Sequence, residues 1–151
     1  MPGTVQVTKT GPRTYSPASG KFVRGGRGVK FVANGRIEEW GAGDTNIAGV
    51  ALTDAVAPED QNSQQTTDAH GRPVLNTVVL PKTVAVAYGG DEVPVTYTAN
   101  TAQGQLLVAA AAGAVAPAGE DVDPRLIVGR CTQPGGVVVA TNPRGLARLA
   151  I

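Results

Sequence analysis

The chain is 151 residues long with a formal net charge of +1, 42% hydrophobic and 17% charged residues, and a single cysteine. That length suits one compact domain, the lone Cys131 excludes an internal disulfide and a multi-cysteine metal site, and no apolar run reaches the roughly 20 residues needed to cross a bilayer. Six of the 13 basic residues and none of the 12 acidic ones fall within residues 1–30, so a basic start precedes an acidic body.

Valine dominates the large aliphatic residues, and 20 glycines and 11 prolines separate its runs. A β-branched side chain suits a pleated surface better than a helix, while Gly and Pro punctuate short strands. The predicted fold class is therefore all-β: a small barrel or sandwich of short strands with an extended N-terminal arm and at most one short helix. One Trp, three Tyr and two Phe make a modest core, at roughly 25 cal/mol per Å² of apolar surface buried. Burial against copies of itself or another protein is expected to supply the remainder.

Residues 1–20 read as an extended basic arm, interrupted by Pro2, Gly3, Gly11, Pro12 and Pro17, and residues 21–151 as a single β domain. The arm begins without the apolar stretch of a signal peptide, so assembly where the protein is made is expected. VKFVA and RIEEW flank Asn34-Gly35, the pair favoured where a two-residue hairpin turn needs positive φ at both positions. The apolar run 47–52 follows, then a polar excursion over 57–73. Further strands are predicted at 74–80, 83–88, 93–98 and 105–110, with a reversal at Gly89-Gly90 and an edge position for Pro94. The Ala-rich run 109–116 competes for helix, but Gly113 and Pro117 limit it to a short one. RLIVGRCT and GVVVAT read as a hairpin through 133–136, before a short basic tail, NPRGLARLAI. Residues 33–52 and 111–131 also share an order of Gly, apolar strand, loop and Gly-containing apolar run, a pattern that fits two β-layers built alike.

The residues that carry chemistry are few. His70 is the sole histidine and sits in the polar excursion; Ser16, Ser19 and Ser63 lie in segments without the strand-to-helix elbow of a nucleophile. Cys131 occupies an apolar strand, the setting of a buried structural thiol. Glu120, Asp121 and Asp123 do not follow the ligand spacing of a calcium loop. Gly41-Ala42-Gly43 lacks the βαβ context of a dinucleotide site, and RGGRG at 24–28 is a single copy of an RNA-binding pattern. No enzyme activity, catalytic residue, cofactor or metal site is predicted, and neither a membrane nor nucleic acid is the expected partner.

Three stretches, GRIEEWGAGDTNIAGVALTDA, AYGGDEVPVTYTANTAQGQLLVAAAAGAV and DPRLIVGRCTQPGGVVV, together 67 of the 151 residues, resemble the capsid decoration (cement) proteins of tailed bacteriophages. The resemblance implies an all-β body, a homotrimer seated on the outer capsid surface of the virion, the major capsid protein as partner and assembly in the host cytoplasm. It also implies an N-terminal arm lying along the shell. The basic arm supplies a matching mechanism, with Lys9, Arg13, Lys21, Arg24 and Arg27 expected to meet capsid acids and clamp neighbouring subunits. Trp40, Tyr88 and Tyr97 are expected to pack in the core or at an oligomer interface; a receptor- or glycan-binding β module of a virion would use them instead as stacking faces.

Overall fold

A computed structural model describes residues 3, 11–60, 66–67, 69–74 and 80–151. The strands of the first half are β1 Arg13–Tyr15, β2 Phe22–Val23, β3 Gly28–Val32, β4 Arg36–Glu39, β5 Ile47–Ala51, β6 Ala55–Val56, β7 Thr66–Thr67, β8 Pro73–Val74 and β9 Val84–Ala87. Those of the second half are β10 Glu92–Thr96, β11 Leu106–Ala109, β12 Val115–Pro117, β13 Ile127–Cys131 and β14 Arg144–Leu149. Helix is confined to short 3-10 turns among the described residues, so the all-β prediction holds.

Two five-stranded antiparallel sheets carry the fold, in the orders β1-β9-β5-β3-β4 and β10-β14-β13-β11-β12. When only its own five strands are counted in chain order, each sheet reads first, fifth, fourth, second, third. The likeness extends to detail. β3 meets β5 through a bulge after Val29, and β11 meets β13 through a bulge after Leu107. Each second strand ends in a turn whose middle residue has positive φ, Asn34 at 63° and Ala112 at 54°, the two non-glycine cases among the described residues. Behind each first strand the chain crosses to the third, by parallel bridges Pro17↔Ile37 and Tyr97↔Val115. Matching N–H groups donate to matching carbonyls: Gly26 to Ala51 and Gly104 to Cys131, at 2.8 and 2.7 Å. The chain is thus one β unit built twice. The echo between 33–52 and 111–131 is its sequence trace.

The Asn34-Gly35 turn has both residues at positive φ, as its sequence predicts, but Val32 pairs with Arg36, so three residues join β3 and β4 rather than two. The Ala-rich run forms a 3-10 turn at Ala111–Gly113 followed by β12. The larger departures lie at the ends. Residues 13–15, expected within the arm, pair with β9 as an edge strand. The expected strand in GVVVAT is reduced to a bridge between Val137 and Thr101, and the presumed tail supplies β14, the strand between β10 and β13. Its period explains this: Gly145, Ala147 and Leu149 are buried, while Arg144 and Arg148 face solvent. The strand predicted at 74–80 falls largely outside the described residues.

Two cores follow from the two sheets. Val23, Val29, Ile37, Ala48, Ala51, Ala55, Val84 and Val86 close the first, beneath the β2-β6 ribbon. The second gathers Tyr97, Leu107, Val115, Val128, Cys131 and Ala147, and it reaches into the first half to include Trp40, Val50 and Ala87. One face of the first sheet therefore joins the halves.

Candidate functional site

Trp40 is the hinge pin of that seam. It is 1% exposed; its Nε1–H donates to the Ala114 carbonyl at 2.7 Å, and its own carbonyl accepts the Gly113 N–H at 2.9 Å. The ring lies over Gly28, where any Cβ would overlap it. Further along the seam, the Thr96 N–H donates to the Gly26 carbonyl at 3.3 Å, and Arg144 Nη2 donates to the Gly25 carbonyl at 2.8 Å.

Two adjoining clefts open beside these contacts. One, of about 490 Å³, is lined by residues that include Leu52, Asp54, Leu80, Pro94 and Arg144. The other, of about 410 Å³, is lined by residues that include Arg24, Arg27, Asp54, Thr96 and Arg144. Three guanidiniums thus stand in or beside a recess with two carboxylates, Asp54 and the adjacent Glu39. Arg24 is committed to Glu39 through bonds of 2.9 and 2.8 Å, and the Glu39 hydrogen bond, then its charge, raises the Arg24 pKa. Asp54 accepts the Gly25 N–H at 2.8 Å. Arg27 donates to the Ala112 carbonyl at 3.2 Å and makes no ion pair among the described residues. Burial, followed by the charge of Arg24, lowers its pKa, and Arg144 adds to the same effect. Such a recess carries excess positive potential toward an incoming anion.

The residues singled out in the sequence are distributed unevenly around this site. Arg24 and Arg27 line the cleft. Arg13 is exposed on β1, and Lys21 pairs with Glu38 at 3.5 Å on the other side of β4. Lys9 lies outside the described residues. Trp40 and Tyr97 are each 1% exposed, and the Tyr97 hydroxyl donates to the Leu146 carbonyl at 2.9 Å, so neither ring offers a face to a sugar. Tyr88 is half-buried beside the Gly89-Gly90 turn. Arg144 was missed because the segment holding it reads as a tail; the alternation in RGLARL was the available signal. Cys131 is buried, and among the described residues no three His, Cys, Asp or Glu side chains converge.

No family model matches the chain, and no curated protein matches it. Its fold is shared with solved structures from bacteriophage phi29. The N base of the head fiber gp8.5 superposes with a TM-score of 0.53 at 13% identity, over 92% of this chain and 94% of that one. The pre-mature form of gene product 12 superposes with a TM-score of 0.51 at 17% identity, over 98% of this chain and 23% of that one. At such identities the likeness is one of fold.

Proposed function

We propose that the chain is a structural protein of a bacteriophage virion, carried on the outside of the head, where it binds the major capsid protein and clamps neighbouring subunits. The observation that carries this reading is the shared fold with a head-fiber base over nearly the full length of both chains. The duplicated β unit provides a rigid body, and the seam cleft provides the grip. Arg27 and Arg144 receive capsid carboxylates there, while the residues before Arg13 extend along the shell. Association as a homotrimer multiplies weak contacts across a symmetric surface. The experiment is mass spectrometry of density-purified virions, combined with heat disruption of virions lacking the gene. The protein is expected in the virion at a stoichiometric ratio to the capsid protein, with lower disruption temperature in its absence. A virion without the protein overturns the reading.

A further inference from the structure

The duplication allows the halves to be compared position by position. In the first half the outer face of the sheet, at Gly28, Ile47, Val50 and Ala87, is covered: Trp40 lies over Gly28, and Val50 and Ala87 belong to the buried cluster shared with the second half. The matching positions of the second half are Leu106, Ile127, Arg130 and Arg148. The registers fix this match, since Gly28↔Val50 and Val50↔Ala87 correspond to Leu106↔Arg130 and Arg130↔Arg148. Here the face is open, and with Gly129 and Ala150 these four residues line a groove of about 270 Å³.

The groove originates in replacements at matching positions. Ala118 holds the place of Trp40: its N–H donates to the Leu106 carbonyl at 2.8 Å, as that of Trp40 donates to the Gly28 carbonyl at 3.0 Å. A methyl group cannot roof the sheet as an indole does. Leu106, in place of Gly28, fills only part of the space. Meanwhile Val50 and Ala87 are replaced by exposed arginines.

We propose that this groove docks an acidic, leucine-bearing segment of a partner protein. The aliphatic side chain lies on Leu106, Ile127 and Ala150, where the first half receives the Trp40 ring, and flanking carboxylates meet Arg130 and Arg148. Both cations are available for that role. Arg130 donates to the Gly104 carbonyl at 3.0 Å, and Arg148 approaches Glu92 no closer than 4.0 Å across an exposed edge. A second copy of this chain is a poorer occupant, because the first-half position that matches the buried Val93 is the exposed Arg13, a charge of the same sign as Arg130 and Arg148.

The test is a ¹⁵N NMR titration of the full chain with the peptide acetyl-Asp-Leu-Leu-Glu-amide. Saturable shifts are expected at the amides of Leu106, Ile127, Gly129, Arg148 and Ala150. The Arg130→Glu/Arg148→Glu variant should bind at least tenfold more weakly. Ala118→Trp with Leu106→Gly, which rebuilds the roof, should abolish the shifts; if that variant does not fold, the arginine pair decides. Absence of shifts at these amides up to millimolar peptide overturns the proposal. So does equal binding of acetyl-Lys-Leu-Leu-Lys-amide, or self-association that perturbs the same amides without peptide.

Discussion

Trp40 and Gly28 form one joint: the indole ring occupies the space in which a side chain at Gly28 would stand, and the Trp40 N–H donates to the Gly28 carbonyl at 3.0 Å. Because the other edge of the ring reaches Ala114, the same joint ties the first sheet to the turn that precedes β12. Trp40→Ala removes a large buried side chain and should cost about 3–5 kcal/mol in chemical denaturation. Gly28→Val should cost a comparable amount by displacing the ring. Since Trp40 is the sole tryptophan, its emission reports the seam directly. Emission and far-ultraviolet circular dichroism should move together on unfolding; an emission change that precedes loss of strand signal would mean that the halves part first.

The two bulges make a paired prediction. A Cβ at Gly49 would overlap the Ala87 carbonyl, and one at Gly129 would overlap the Arg148 carbonyl, the same place in each half. Gly49→Ala and Gly129→Ala should each destabilise by ~2 kcal/mol or more, measured as a shift in urea midpoint at unchanged slope. A neutral result at either site would contradict the close approach described there.

Acid should weaken the loop that delivers Trp40. Asp44 Oδ2 accepts the Gly41 N–H at 2.6 Å and the Lys30 ammonium at 2.9 Å, and these bonds, the Gly41 one first, hold its carboxyl below the ordinary 3.8. A depressed folded-state value means stability that is present above 3.8 and lost as pH falls through the lower folded value. Asp44→Asn should therefore flatten the acid limb of the stability curve below pH 3.8 while leaving neutral-pH folding intact. An unchanged acid limb would assign the loss to other carboxylates.

Cys131 is 1% exposed and packs in the second core with Tyr97, whose own pKa burial, followed by the Cys131 contact, drives upward. Its reaction with a neutral disulfide reagent should proceed only through global opening, so the rate should rise in step with destabilising substitutions such as Leu107→Ala. Rapid labelling of the folded chain would contradict its burial.

Much of the β architecture was legible because it depends on local chemistry. The Asn34-Gly35 turn, the edge position of Pro94 and the Gly89-Gly90 reversal each announce themselves within a few residues. What escaped was non-local. The run 136–141 has the better β composition, yet 144–149 takes the interior strand position, because Gly145 and Ala147 are small enough to pack against the core while Leu149 fills its end. The seam was equally hidden: Arg24 and Arg27 are marked by charge, but their neighbour Arg144 comes from the far end of the sequence. The echo of 33–52 in 111–131 was visible, although weak, since the halves share backbone geometry and glycine placement more than side chains.

Under the proposed function, this duplicated β unit grips a phage head. The most direct measurement is co-sedimentation of the purified chain with mature, expanded heads of the phage that encodes it, stripped of the endogenous protein. Saturable binding is predicted, weakened at least tenfold by Arg27→Glu with Arg144→Glu and reduced by raised salt. Absence of binding to expanded heads at micromolar protein would contradict it.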